Sequence, residues 1–160
     1  MKELSFNEDQ IIVSKTDTKG NITYCNDIFI MMSGYKEKEL LSQPHNILRH
    51  RDMPKIIFKL LWQTVQSGEE INAYVKNLTK DGNYYWVLAN VTPSVDHNNN
   101  IMGYFSVRRK PSSEALRVIE PLYKELIRIE KTQGVTGSYN YLMNILDEKE
   151  LSYEEFIISI

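Results

Sequence analysis

The stretch "INAYVKNLTKDGNYYWVLANVTPSV", residues 71–95, carries the strongest local structural signal in this sequence of 160 residues. Its side chains follow a period of two, which is typical of half-buried β-strands. Asp81 and Gly82 lie between the two apolar runs, and an Asp-Gly pair in this position favours a tight turn between antiparallel strands. The stretch therefore predicts a β-hairpin, around which the rest of the domain can be arranged.

Three further short strands are predicted outside the hairpin. The stretches "DQIIVSKTD" (9–17) and "GNITYCN" (20–26) both have strand character and are separated by a glycine-containing turn. On the other side of the hairpin, the turn "DHNNN" (96–100) leads into "IMGYFSVRRK" (101–110). The sequence thus provides five strands in all.

Helical spacing appears between the second and third strands. "NDIFIMMSGY" (26–35) predicts a helix that ends at Gly34, a residue suited to the left-handed conformation that often terminates helices. "KEKELLSQPHNIL" (36–48) predicts one or two short helical turns, broken by Pro44.

A longer helix is predicted next, with Asp52 as its N-cap, Pro54 in its first turn and Gly68 at its end. Two strands, several short helices, one longer helix and three antiparallel strands follow one another along the chain. This order predicts an α+β domain in which helices pack across one face of a five-stranded antiparallel sheet.

The composition changes after Pro111, and the remainder is predicted to be a C-terminal helical extension. An amphipathic stripe runs through 113–130 and is expected to be interrupted by Pro121. "TQGVTGS" (132–138) predicts a flexible break, followed by two short helical pieces, the second opened by a capping box at Ser152 and Glu155. The predicted division is an N-terminal cap segment at 1–9, a central α+β domain at 10–110, and the extension at 111–160.

Composition restricts the class of protein. Charged residues make up 25% of the chain and the net charge is −2, which gives no electrostatic footprint for nucleic acid. The single cysteine, Cys25, excludes a disulfide framework and fits a reducing cytoplasm. No apolar run is long enough to span a membrane, and "MKELSFNEDQ" lacks the apolar core of a signal peptide. A cytoplasmic globular protein is expected.

The first candidate site lies around the start of the longer helix. Arg49, His50 and Arg51 precede this helix, and Phe58 and Trp62, four residues apart, share one of its faces. Aromatic residues at this spacing commonly fill a core. The cationic group just ahead of them favours contact with a ligand instead.

Asn77 is the second candidate. Strand alternation places it on the same face as Ile71, Ala73 and Val75, so its amide lies on the more apolar side of the strand. A buried amide needs hydrogen-bond partners, and either a ligand or backbone groups near the hairpin turn could supply them.

Several motifs together resemble those of PAS domains, over roughly residues 10–110. "QPHNILRHRDMPK" (43–55) and "EPLYKEL" (120–126) are similar to the flavin-binding sensors of aerotaxis and energy-taxis receptors. The resemblance is greatest to the bipartite kind, in which a short soluble PAS protein (the CetB type) works with a separate membrane receptor. The PAS motifs are Asp17-x-x-Gly20-x-Ile22-x-Tyr24-x-Asn26, Phe29 with "SGY" at 33–35, "HRDMPK" at 50–55, "KNLTKDGNYYWV" at 76–87 and "GYFSVRR" at 103–109.

The resemblance implies FAD as the cofactor, bound without a covalent link. Cationic side chains and a helix N-terminus suit its diphosphate, and an aromatic stripe suits its flat ring. Asn77 is implied to pair with the pyrimidine edge of the ring. The implied cofactor-binding residues are Asn26, Arg49, His50, Asp52, Phe58, Trp62 and Asn77.

Two positions depart from flavin-binding relatives. Ile71 stands where the family often has a tryptophan, which removes one expected packing contact. Asn46 is followed by Ile47, whereas photosensing PAS domains have a reactive cysteine there. Flavin–thiol adduct chemistry is therefore not expected at this position.

The predicted function is a redox sensor for energy taxis and not an enzyme, because no nucleophile triad, phosphate-binding loop or paired-carboxylate motif is present. One alternative is a haem-binding PAS oxygen sensor that uses one of the three histidines; another is a ligand-free docking module. The resemblance implies a membrane-anchored chemoreceptor as partner, contacted on its cytoplasmic side near the HAMP region, and a homodimer is also compatible. The C-terminal helices could serve this contact or simply cover a sheet face.

Overall fold

The computed structural model describes residues 1–160 and contains one antiparallel sheet of five strands. The strands are β1 (Ile12–Thr16), β2 (Ile22–Cys25), β3 (Ile71–Leu78), β4 (Tyr84–Val95) and β5 (Ile101–Arg109). Their order across the sheet is β2-β1-β5-β4-β3, so the first and last parts of the domain meet in the middle of the sheet. The predicted α+β class and the five strands are confirmed.

The predicted hairpin is formed by β3 and β4. Asn77 lies opposite Tyr85 and Val75 opposite Val87 in its register. Gly82 in the turn has a φ of 83°, the left-handed conformation that glycine adopts without strain.

Four short or medium helices precede β3 and pack over the inner face of the sheet. They are α1 (Asp27–Ser33), α2 (Glu37–Leu40), a 3-10 helix (His45–Leu48) and α3 (Lys55–Gln66). Gly34 ends α1 as predicted, with a φ of 76° and its N–H donating to the carbonyl of Ile30.

The predicted start of α3 is wrong. Pro54, not Asp52, stands at the N-cap position, and it has no side chain that could accept a hydrogen bond. The free N–H groups of Lys55 and Ile56 donate instead to the carboxylate of Glu130, at 2.8 and 3.0 Å. Asp52 turns away and pairs with Lys76, with 3.0 Å between carboxylate and ammonium. A carboxylate more than 70 residues away in the chain has replaced the local cap.

The C-terminal extension forms α4 (Ser113–Lys149) and α5 (Tyr153–Ser159). The predicted interruption at Pro121 is not observed, since α4 continues through this residue. The chain leaves the helical conformation at Gly134 alone, with φ 68° and ψ −169°, so the predicted break at 132–138 is reduced to one residue. The capping box of Ser152 and Glu155 is confirmed.

The beginning of α4 covers the outer face of the sheet beside β3. The ring of Tyr123 lies 6.0 Å from that of Trp86, and its hydroxyl donates to the backbone carbonyl of Tyr74 at 2.7 Å. In α5, the hydroxyl of Tyr153 donates to the carbonyl of Asn72 at 3.1 Å. The proposed role of the tail in covering a sheet face is therefore observed.

The N-terminal residues also pack on the domain. The N–H of Leu4 donates to the carbonyl of Tyr84, and Phe6 is buried in the main core. No helix combines the length and apolarity needed to cross a membrane.

We predict that Tyr123→Phe lowers the free energy of unfolding by about 1 kcal/mol, because the carbonyl of Tyr74 loses its buried donor. Urea unfolding of the variant and the parent measures this difference. Tyr139→Phe, a change at an exposed tyrosine of the same helix, is the matched control and is expected to leave stability unchanged. Equal stability of Tyr123→Phe and the parent would contradict the assigned hydrogen bond.

Candidate functional site

A cavity of about 130 Å³ lies between the inner face of the sheet and α3. The helix contributes an apolar wall that includes two aromatic side chains, and the strands contribute apolar and polar side chains. Gly20 lies against the Trp62 ring, which a Cβ at this position would approach to 3.1 Å. The lining residues of the cavity are Ser14, Thr16, Gly20, His45, Asn46, Leu48, Arg49, Phe58, Leu61, Trp62, Val65, Val75, Asn77, Ala89, Val91, Tyr104, Ser106 and Arg108.

Three polar atoms at this cavity are buried and have no hydrogen-bond partner. They are the side-chain amide nitrogen of Asn77 and the hydroxyl oxygens of Thr16 and Ser106. Leaving such a group unsatisfied costs about 1–3 kcal/mol each, and most buried polar atoms in folded proteins are paired. Three orphaned groups around one cavity indicate a polar occupant that would complete their hydrogen bonds.

A buried guanidinium lies at the polar end of the cavity. Arg108 is 5% exposed and has no carboxylate partner. It donates to the hydroxyl of Ser14 at 3.0 Å and lies 2.6 Å from Nε2 of His45. Its guanidinium also stands 5.6 Å from the centre of the Phe29 ring. The site therefore contains an uncompensated positive charge.

This arrangement fixes the protonation state of His45. Burial, with the nearby Arg108 cation second, lowers the pKa of His45 to about 3, so the imidazole is neutral. Arg108 can only donate, so Nε2 of His45 must accept and the ring proton resides on Nδ1. Burial likewise lowers the pKa of Arg108 to about 10, which leaves the guanidinium charged at neutral pH. Burial raises the pKa of the adjacent Tyr85 to about 12, so its hydroxyl is neutral as well.

An outer groove of about 770 Å³ adjoins the cavity. Arg49, Phe58 and Trp62 line both spaces. The groove has a cationic lining with no acidic residue, which suits an anionic ligand. Its lining residues are Met1, Arg49, His50, Arg51, Met53, Lys55, Phe58, Lys59, Trp62, Leu78 and Val135.

Four of the seven candidate residues come together at the junction of cavity and groove. Phe58 and Trp62 lie on the same face of α3, and the Trp62 ring meets Tyr104 edge to face at 5.3 Å. The guanidinium of Arg49 stacks over the Phe58 ring at 4.2 Å. Asn77 lies on the inner face of β3 and is buried, as strand alternation indicated.

His50 lines the groove but not the cavity, and it is 1% exposed. Its Nδ1 accepts from the backbone N–H of Asp52 at 3.0 Å, while its Nε2 is buried without a partner. Burial, with Lys76 second, lowers the pKa of His50 below its ordinary value. A neutral ring with Nδ1 as acceptor has its proton on Nε2 and can donate to a ligand in the groove.

Asn26 and Asp52 lie outside both spaces. The side-chain oxygen of Asn26 accepts from the N–H groups of Val13 and Phe29, and its amide donates to the carbonyl of Ile11. Asn26 therefore caps α1 and joins it to β1. Asp52 is exposed and bound to Lys76. Neither side chain is free to reach the cavity in this conformation.

Sequence reasoning missed the polar residues on the two central strands and the histidine of the 3-10 helix. Alternation in β5 places Ser106 and Arg108 on one face with Tyr104, and this pattern could have been read in the same way as Asn77. His45, in the 3-10 helix, turns its ring inward and meets Phe29 edge to face at 5.7 Å. No local sequence pattern distinguishes a histidine turned inward from one at the surface.

Comparison with known proteins identifies a family. The family model described as PAS fold matches residues 22–108. The aerotaxis receptor of Escherichia coli (strain K12) is 44% identical over 119 residues, which are 74% of this chain and 23% of that receptor. The nitrogen fixation regulatory protein of Klebsiella pneumoniae is 29% identical over 99 residues, 62% of this chain and 20% of that protein. The chain thus spans only about a fifth to a quarter of the length of these relatives.

Solved structures share the fold. The light-state structure of the blue-light photoreceptor Aureochrome1 LOV has a TM-score of 0.60 at 18% identity, covering 70% of this chain and 88% of that one. A light-oxygen-voltage domain studied with a flavin analogue has a TM-score of 0.61 at 19% identity, covering 72% and 86%. At these identities the likeness establishes the arrangement of sheet and helices and nothing further.

We predict that the fold loses stability as the pH falls from 7 to 5, in part through His45. Its folded-state pKa of about 3 lies below the ordinary 6.5, so below pH 6.5 the unfolded chain binds a proton that the folded chain does not. The contribution of neutral His45 to the free energy of unfolding is fully present above pH 6.5. About 2 kcal/mol of it is lost at pH 5.

Urea unfolding of the parent and His45→Gln at both pH values tests this, and the variant is expected to lose less stability on acidification. His97→Gln, at an exposed turn, is the control and should behave like the parent. The same pH dependence in all three proteins would contradict the assignment of a neutral His45 held beside Arg108.

Proposed function

We propose that this chain, which belongs to the PAS fold family, is a sensor in taxis signalling that binds FAD and reports its redox state to a chemoreceptor. The observation that carries the proposal is the pair of connected spaces. A cavity with apolar walls and three orphaned polar atoms adjoins a groove with a cationic lining. FAD matches these two spaces, because its flat amphipathic ring would suit the cavity and its diphosphate would suit the cationic groove.

The residues of the cavity would hold the ring of the cofactor. Phe58 and Trp62 provide apolar and aromatic contact from α3, and Val75 and Ala89 do so from the sheet. Asn77 offers a donor and an acceptor to the pyrimidine edge, which supports pairing with a ring that displays both. Bound flavin would supply reversible electron transfer near respiratory potentials.

Arg108 would set the electrostatic character of the site. Its charge is buried and uncompensated, so the site favours any occupant that gains negative charge. The neutral His45 and the Ser14 hydroxyl hold the guanidinium in place without cancelling its charge. These residues would therefore stabilise the reduced state of a bound redox group relative to its oxidised state.

The groove would hold the phosphate end. Arg49 stands at the junction with the cavity, and Lys55 and Lys59, in the first part of α3, line the groove. The N–H groups in the first turn of α3 are bound to Glu130, so side chains and not this helix terminus would provide the phosphate contacts. Asn26 and Asp52 would act indirectly, by fixing α1 and the approach to α3.

The output is proposed to pass to another protein. A relative named aerotaxis receptor shares 44% identity with this chain over 119 residues, which supports a place in taxis signalling. We propose a membrane-anchored chemoreceptor as partner, contacted on its cytoplasmic side near the HAMP region, with the present chain acting in the cytoplasm. No catalytic step on a substrate is proposed.

The visible spectrum of the purified protein tests the cofactor. Flavin bands are expected, and free FAD should be released on denaturation because no covalent attachment is proposed. A Soret band would instead establish the haem-binding alternative. Protein that remains colourless after FAD is supplied would overturn the proposal and favour the alternative of a ligand-free PAS docking module.

We predict that Asn77→Ala weakens flavin binding by about 1–3 kcal/mol, which is the cost of leaving a polar edge unpaired in a buried site. Fluorescence titration of flavin into the apoprotein measures the dissociation constant. Asn90→Ala is the matched control, because Asn90 lies on the neighbouring strand with its amide bound to Asn72 outside the cavity. Similar affinity in both variants would remove Asn77 from the site.

We also predict that Arg49→Ala weakens FAD binding more than riboflavin binding, since riboflavin has no phosphate. The difference should be about 1.5–3 kcal/mol, as for a hydrogen bond to a charged group. Arg109→Ala, an exposed arginine at the end of β5, serves as the control for the loss of one positive charge. Equal losses of affinity for FAD and riboflavin in Arg49→Ala would show that Arg49 packs on Phe58 without contacting the phosphates.

A further inference from the structure

The contact between Glu130 and α3 joins the C-terminal extension to the cavity wall. We call this contact the clasp: the carboxylate of Glu130 accepts from the N–H groups of Lys55 and Ile56 at 2.8 and 3.0 Å. The hydroxyl of Ser138 donates to the same carboxylate at 2.8 Å. Because α3 has no side-chain cap of its own, the clasp supplies the negative charge that a helix N-terminus favours.

Helix α4 is anchored at a second point, on the backbone of β3, the strand whose side chains Val75 and Asn77 line the cavity. Tyr123 donates to the carbonyl of Tyr74 in β3, and the cavity lies between β3 and α3. Seven residues of helix separate Tyr123 from Glu130, which corresponds to about 10 Å. One rigid stretch of α4 therefore spans both walls of the cavity and is sensitive to their separation.

The bend after the clasp also lies close to the groove. Gly134 has a backbone conformation that other residues avoid, and Val135, which follows it, lines the groove. The part of α4 beyond the bend includes Ser138, whose hydroxyl donates to the Glu130 carboxylate of the clasp. A shift of α3 would thus act on the clasp and on the bend together.

We propose that the clasp is the coupling element through which the state of the bound cofactor reaches the C-terminal helices. This inference rests on the proposed function, since FAD is the ligand used. Phe58 and Trp62 place α3 in contact with the cofactor, so a change in the cofactor's charge or hydrogen bonding moves the start of α3 relative to β3. The clasp then tightens or loosens, and the part of α4 beyond Gly134 changes its association with the domain.

Hydrogen exchange measured by mass spectrometry tests the clasp first in the ligand-free protein. In Glu130→Gln, the first turn of α3 and residues 135–149 are expected to exchange about tenfold faster than in the parent, the change typical of a lost helix cap. Ser138→Ala should change the same segments in the same direction by a smaller factor. Glu125→Gln is the matched control, because Glu125 lies on the same helix and pairs only with Arg128. Parent-like exchange in Glu130→Gln would overturn the clasp.

The same proteins are then loaded with FAD and compared in the oxidised and dithionite-reduced states. Reduction is expected to change the exchange of residues 135–149 several-fold in the parent and in Glu125→Gln, and not in Glu130→Gln. No change in the parent, or an equal change in Glu130→Gln, would overturn the coupling while the flavin spectrum stays intact. Absence of flavin from the spectrum would overturn the proposed function, and the coupling with it, whereas the ligand-free comparison would still decide whether the clasp holds α4.

Discussion

The buried charge of Arg108 constrains the arrangement of the inner sheet face. A guanidinium removed from water without a carboxylate is costly, and its hydrogen bonds must be supplied by neutral groups. Ser14 on the adjacent strand and His45 on the 3-10 helix supply them. This requirement ties the centre of the sheet to the short 3-10 helix through a polar contact, and it holds His45 in a neutral state.

The orphaned polar atoms, like this charge, are buried polar groups that lower the stability of the ligand-free fold. The fold places Thr16, Asn77 and Ser106 around a cavity where each is unsatisfied, although apolar residues at these positions would give a more stable core. Arg108 adds a positive charge that no protein carboxylate neutralises. These groups lower the stability of the ligand-free fold, and a polar, electron-accepting ligand that bound to them would restore it.

Features that depend on local pattern could be predicted from the sequence. Period-two alternation with an Asp-Gly turn predicted the β3–β4 hairpin and the buried position of Asn77, and Gly34 and Ser152 marked helix ends correctly. The start of α3 could not be predicted, because its cap comes from Glu130 at the far end of the chain. Arg108 and His45 were missed for a related reason: an arginine or histidine is ordinarily a surface residue, and only tertiary contacts show it turned inward.

Strand β3 connects the two sides of the domain. Its inward side chains, including Val75 and Asn77, line the cavity, while its backbone carbonyls at Asn72 and Tyr74 accept from tyrosines of α5 and α4. Lys76, between Val75 and Asn77, binds Asp52 on the approach to α3. The outer helices therefore contact the backbone of the same strand whose alternate side chains, Val75 and Asn77, line the cavity. A displacement of β3 relative to α3 would alter the hydrogen bonds of α4 directly, which is why the covering of this sheet face and the transmission of a signal need not be separate roles of the C-terminal extension.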